Sequence, residues 1–281
     1  MTVPGGIELH VSVWSDAPVE GEARPSPFLL VHGLASNARL WDGVAERLHL
    51  LGHPVAAVDQ RGHGLSDKPD AGYDLATAVE DLAAVMRSLG FERPVLVGQS
   101  WGGNVVLELA AQRPGMARGV ALVDGGWIEL ADRFPRWEEC AAALAPPSTG
   151  GLTPAAMEGR IREAHPDWPE MGIAGSMANY EAGPGGAVAP RLTPERHLRL
   201  LRSLWEHRPS TRYAGLSVPV LLVPAEDPEE PNGSDDAVKE AEAHIPRVRT
   251  HRMVGDHDLH AQHPEALAGV LHGCVADGFF A

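Results

Sequence analysis

Basic residues are scarce: 23 Lys and Arg stand against 38 Asp and Glu, giving a formal net charge of −15. A field of that sign repels nucleic-acid phosphates and anionic membrane surfaces, so neither is an expected partner. Cysteine is nearly absent, with Cys140 and Cys274 alone. Their spacing suggests no disulfide framework, and both are expected as free thiols. No apolar run approaches the roughly 20 residues that span a bilayer, so no membrane insertion is expected. The opening Met1–Gly6 lacks the basic and apolar regions of a secretory signal, and the expected compartment is the cytoplasm. Internal repeats and low-complexity tracts are also missing.

What is present is an ordinary globular composition, 44% hydrophobic and 22% charged over 281 residues. That length suits one large core carrying an insertion. Ile7–Trp14 alternates apolar and polar residues, the period of a half-buried strand at a sheet edge. The runs Phe28–Val31, Val55–Val58, Pro94–Val97 and Val120–Val123 are continuously apolar instead, as strands covered on both faces of a parallel sheet are. Helical patterns lie between them, near Trp41–Leu51, Leu75–Leu89 and Trp101–Gln112. Strand and helix in alternation predict a wound α/β sheet.

The alternation stops after Val123. From Trp127 to Arg212 there is no buried-strand run, only helix-compatible stretches (Arg133–Leu144, Pro154–Glu163, Pro194–His207) separated by Pro- and Gly-rich breaks. Sheet signal returns at Val218–Val223 and near Val248–Val254, before a closing helix at Pro264–Val275. The expected organisation is a core of residues 1–126 and 213–281 interrupted by a helical cap at 127–212. That cap carries Trp127, Trp137, Trp168, Trp205, Met157, Met171 and Met177. Together they suggest a small-molecule substrate with an apolar portion, although each residue alone suits the cap's own core.

The motif with most chemical content is Gly98-Gln99-Ser100-Trp101-Gly102-Gly103. It directly follows an apolar strand run and opens a helical pattern, the context in which G-x-S-x-G raises a serine on a sharp, strained turn. His32-Gly33 after one strand, Asp59–Ser66 after the next, and Gly255–Pro264 near the end complete an ordered set. With these motifs the chain resembles the α/β-hydrolase superfamily. The resemblance implies a mostly parallel central sheet flanked by helices, with an inserted helical cap.

The resemblance also implies site residues. Ser100 is the expected nucleophile, which needs a base to remove its proton. Fourteen histidines compete for that role; His257 occupies the family position, after the last strand and before Pro264. The carboxylate orienting it is expected to be Asp227, at the end of Val220–Asp227, with Asp124 beyond Val123 as the alternative. Backbone N–H groups of Leu34 and Trp101 would form the oxyanion hole. His251, His257, His260 and His263 crowd one segment but lack zinc-motif spacing, so no metal is expected. The loop at Gly62 and Gly64 completes neither a dinucleotide nor a P-loop fingerprint, so no cofactor is expected, and Arg61 and His63 are assigned to the rim.

The expected activity is cleavage of a carboxylic ester, or a related acyl bond, through an acyl-enzyme. The same elbow serves thioesterases, lactonases, C–C bond hydrolases and cofactor-free perhydrolases. A non-catalytic ligand-binding member of the fold is the alternative from another class.

Overall fold

Val11–Trp14 (β1), Phe28–Val31 (β2), Val55–Val58 (β3), Val95–Gln99 (β4), Gly119–Val123 (β5), Val220–Val223 (β6) and Val248–Thr250 (β7) form one sheet. Their spatial order is β7-β6-β5-β4-β2-β3-β1, parallel throughout except where β1 pairs antiparallel with β3. The computed structural model describes residues 1–15, 26–226 and 235–281.

Every residue of β2 to β6 is buried, because helices cover both faces. Period-two geometry divides these strands between two cores. Leu29, Val31, Ala56 and Val58 face Leu75–Leu89 (α2) and Trp101–Gln112 (α3), whereas Phe28, Leu30, Val55 and Ala57 face Asp42–Leu50 (α1) and the closing helix. Each fully buried Val, Leu or Phe contributes about 1.5–3 kcal/mol, so continuous apolar strands suit only this doubly covered position. Helix α2 starts where the Asp74 carboxylate accepts from Thr77 N and ends at Gly90, whose φ of 65° is left-handed.

The N-terminal alternation is two strands. Ile7–Glu8 pairs with Thr2–Val3, and the chain joins the main sheet only from Val11. Between them, Glu8 N donates to the Asp67 carboxylate and His10 N to Ser66 Oγ, so this stretch is bonded to a loop. The Val248–Val254 pattern also divides, because Met253–Val254 leaves the sheet to pair with Ala225–Glu226.

Residues 127–212 hold Leu130–Arg133 (α4), Trp137–Ala143 (α5), Pro154–Ala164 (α6), Glu170–Met177 (α7) and Pro194–Glu206 (α8). The expected helix Arg133–Leu144 is broken at Phe134-Pro135, since a residue before proline is pushed out of helical backbone; Phe134 has φ −126° and ψ 88°. A hairpin, Tyr180–Ala182 with Val188–Pro190, stands where only helices were expected. Met157, Ile161, Trp168, Ile173 and Val188 form a small core that extends to Leu40 and Ala261.

Both ends of this segment are fastened to α3. Asn104 Oδ1 accepts from Gly126 N and Asn104 Nδ2 donates to Ile128 O, each at 3.0 Å. One turn on, the buried Glu108 carboxylate accepts two bonds from Arg212 at 2.9 Å and one from His207 Nε2 at 3.3 Å. Burial opposes ionisation of Glu108, but bonds from His207, Arg212 and Gln112 outweigh it and hold its pKa at about 2. The chain continues through Asp235–His244 (α9), Leu259–Gln262 (α10) and Pro264–Ala276 (α11), which packs with α1. Among the described residues no helix is long and apolar enough to cross a membrane.

Candidate active site

Ser100 lies between β4 and α3 with φ 52° and ψ −124°, a sparsely populated conformation for a residue with a side chain. Neighbouring glycines permit it. A Cβ on Gly98 would strike the backbone of Gly102 and Gly103, and one on Gly102 would sit 2.5 Å from the carbonyl oxygens of Val31 and His32. The elbow is therefore pressed against β2, at the carboxyl edge of the sheet where open α/β sheets bind ligands.

The sheet register delivers the next group. Gln99 of β4 is paired with Val123 of β5, and Ser100 N donates to Val123 O at 3.0 Å. Asp124 thus begins the loop beside Ser100, with a φ of 39°. One of its oxygens accepts from Ala225 N at 3.1 Å, and the other lies 2.6 Å from His257 Nδ1. Nδ1–H therefore donates to the carboxylate, which leaves Nε2 as the lone-pair nitrogen. Desolvation disfavours the charged ring, though about half of the side chain (53%) stays open to solvent, and the bond to Asp124 with the nearby Asp258 and Asp256 carboxylates raises the His257 pKa from 6.5. Gln99 Nε2 donates to His257 O at 3.0 Å, fixing the histidine loop to β4. Ser100 Oγ has no hydrogen bond among the described residues. The structure brings Asp124 to the ring, the carboxylate that the sequence ranked second; Asp227, ranked first, lies outside the described residues.

The Gly33-Leu34 turn abuts the serine, since a Cβ on Gly33 would stand 3.0 Å from Ser100 Cβ. His32 fixes that turn. Its Nδ1 donates to Gly33 O at 2.7 Å while its Nε2 accepts from Gln60 N at 3.0 Å. Burial lowers the pKa of this ring, which keeps it neutral. The N–H groups of Leu34 and Trp101 have no partner among the described residues.

Asp59 organises the following loop, accepting from Ala38 N, Leu65 N and His10 Nδ1. Burial raises its pKa, but these bonds prevail and bring it to about 2. Arg61 forms two 2.9 Å bonds with Asp81. His63 is buried between His32 and Trp101. His260 is wholly buried against Trp41, and no cluster of three or more His, Cys, Asp or Glu could hold a metal among the described residues.

A cleft of about 840 Å³ opens beside Asp124 and His257, lined also by Trp127, Ile128, Leu130 and Tyr213. Of the other Trp and Met residues of this segment, Met157 and Trp168 lie in the small core of residues 127–212, while Trp137 and Trp205 pack around Arg202. Sequence reasoning missed Gln99, Asn104 and Glu108 as positioning residues. Their polarity at buried helix and strand positions was the available signal. It also missed a contact between residues 127–212 and the histidine loop, where Trp168 Nε1 donates to Asp256 at 2.8 Å.

Sheet order, elbow and histidine loop together define a protein of the α/β-hydrolase fold. A family model of that fold matches residues 26–168, and the chain belongs to this family. It is 38% identical over 120 residues to 2-(acetamidomethylene)succinate hydrolase of Mesorhizobium japonicum, a match covering 43% of this chain and 40% of that relative. Lipase LipV of Mycobacterium tuberculosis is 36% identical over 118 residues, 42% of each chain. The chain thus aligns with about two-fifths of the length of these relatives. In three dimensions the likeness is wider: the crystal structure of E-2-(acetamidomethylene)succinate hydrolase superposes with a TM-score of 0.78 at 25% identity, covering 98% of this chain and 97% of that one. Both sequence relatives carry names of hydrolytic enzymes.

Proposed function

We propose that the protein hydrolyses a carboxylic ester, or a related acyl bond, through an acyl-enzyme on Ser100. The observation carrying this reading is the Asp124–His257 bond, formed where the sheet register sets Asp124 beside Ser100. His257 Nε2 takes the Ser100 hydroxyl proton as Oγ bonds to the carbonyl carbon. The oxyanion is held by the N–H groups of Leu34 and Trp101, each worth on the order of a hundred- to a thousand-fold in rate. The proton on Nε2 passes to the leaving alkoxide as the C–O bond breaks. A water, deprotonated by the same nitrogen, then releases the acid and restores Ser100.

Asp124 rather than Asp227 is the acid in this proposal, because it already bonds Nδ1 and is itself pinned by Ala225 N. Residues 127–212 act as the lid, held over the site through Asp256 and Trp168. The cleft sets Trp127, Ile128 and Leu130 among the charged Glu129, Asp132, Arg133 and Glu240, which suits a small substrate with both an apolar and a polar portion. The relative named for 2-(acetamidomethylene)succinate adds an amide to the acyl bonds worth testing.

The test is turnover of p-nitrophenyl esters with labelling by a fluorophosphonate probe. Wild type should turn over and label, and Ser100→Ala should do neither. Unchanged activity in Ser100→Ala refutes the mechanism.

A further inference from the structure

A second, smaller cavity of about 60 Å³ lies between the Ala35–Ser36 turn, the His63 loop and the 179–197 stretch. Its lining begins at Ala35, the residue that follows Leu34. Three of its lining side chains are more than nine-tenths buried, yet each has a polar atom without a partner: Ser36 Oγ, His63 Nε2 and His197 Nδ1. A buried polar atom left unpaired costs about 1–3 kcal/mol, so three around one cavity require a common reason.

Their chemistry can be read from the opposite side of each ring. His63 Nδ1 faces Arg61 O at 3.1 Å, and His197 Nε2 faces Leu144 O at 3.0 Å. A carbonyl oxygen only accepts, so those nitrogens carry the protons and the unpartnered ones are bare lone pairs. Burial lowers the pKa of both rings, which keeps them in these neutral tautomers. Asn179 adds the complement. Its Oδ1 accepts from Asn37, and its amide N–H groups have no partner among the described residues. Arg191, the one charged side chain in the lining, is paired with Glu181 at 2.9 Å.

We propose that this cavity is a subsite for a neutral hydrogen-bond-donating group of the substrate, a hydroxyl or primary amide, carried on the acyl side of the scissile bond. Two lone pairs and no unpaired cation repel a carboxylate there; an amide NH₂ or an O–H satisfies both rings, and an amide oxygen can accept from Asn179. The placement on the acyl side rests on the reading of Ser100 as nucleophile and Leu34 as oxyanion donor.

Two substrate pairs differing only by donor against methyl test the proposal: ethyl 3-hydroxybutanoate with ethyl 3-methylbutanoate, and ethyl succinamate with ethyl 4-oxopentanoate. Wild type should favour the donor in at least one pair by tenfold or more in kcat/KM, and Ser36→Ala/His197→Phe should bring that ratio near one. Ratios near one in wild type, or a preference unchanged in the variant, overturn it.

Binding is read separately in Ser100→Ala protein, through the imidazole ¹⁵N resonances of His63 and His197. Ethyl succinamate should move Nε2 of His63 and Nδ1 of His197 upfield, and ethyl 4-oxopentanoate should not. Resonances unmoved by either compound mean that fixed water alone satisfies the rings, which also overturns the subsite. If wild type hydrolyses no ester, the serine reading fails, and the ¹⁵N response still decides whether the cavity takes a donor.

Discussion

Gln99 Nε2 donates to the backbone oxygen of His257 across 158 residues of sequence, at 3.0 Å. Gln99 is buried and immediately precedes Ser100, so its side chain connects the strand of the hydroxyl to the loop of the imidazole. Gln99→Leu should lower kcat about tenfold with KM nearly unchanged, because it loosens the histidine without touching substrate. Steady-state kinetics on a p-nitrophenyl ester check this; a rise in KM at constant kcat would mean a binding role instead.

Asp124 and Asp227 are separable by amide substitution. Asp124→Asn should reduce kcat by roughly 10³- to 10⁴-fold, since an amide cannot hold the same tautomer of His257 or stabilise its charge. Asp227→Asn should stay within a few-fold of wild type. The opposite ranking would return the role to Asp227.

Activity should rise with pH. In the proposed mechanism the neutral His257 ring is the base, and desolvation of that ring is outweighed by the Asp124 bond and the neighbouring Asp258 and Asp256 carboxylates, which raise its pKa from 6.5. The acid limb of kcat/KM should therefore have its midpoint above 6.5, and rate should be lost as pH falls through it. In Asp124→Asn the His257 midpoint, followed by NMR titration, should move down. An unmoved midpoint would show that Asp124 does not set it.

Glu108 should govern acid stability. Its folded pKa of about 2 lies below the ordinary 4.5, so its contribution is complete above 4.5 and is lost as pH falls toward 2. The corresponding stabilisation is on the order of 3 kcal/mol. Glu108→Gln should lower the urea midpoint at pH 7 and flatten its dependence between pH 5 and 3. A variant as acid-sensitive as wild type would place the sensitivity elsewhere.

The sheet and nucleophile turn were legible because their signals are local. Four apolar runs, helices spaced between them, and a serine among glycines at a strand end each follow from a few adjacent residues. The choice of carboxylate was not local. Asp124 and Asp227 both follow apolar strands, and the family pattern favoured the second. What brings Asp124 to the ring is the adjacency of Val95–Gln99 and Gly119–Val123 in the sheet, a fact of strand order. The Tyr180–Pro190 hairpin escaped notice for another reason. Its strands are only three residues each, with Val188 alone buried, and lack the apolar alternation that betrays a half-buried strand. Asn104 and Glu108 sit in a helix whose other residues are largely apolar, and only their partners explain them: Gly126, Ile128 and His207 for Asn104, and His207 and Arg212 for Glu108.

Those partners have an evolutionary consequence. The polypeptide departs at Gly126–Ile128 and returns at His207–Arg212, yet both points are moored within a single turn of one helix. An excursion whose ends meet can be exchanged for a longer or differently shaped one while every strand keeps its neighbours. A replacement segment spliced in at Gly126–Ile128 and His207–Arg212 would thus be received by Asn104 and Glu108, with Ser100, Asp124 and His257 left in place.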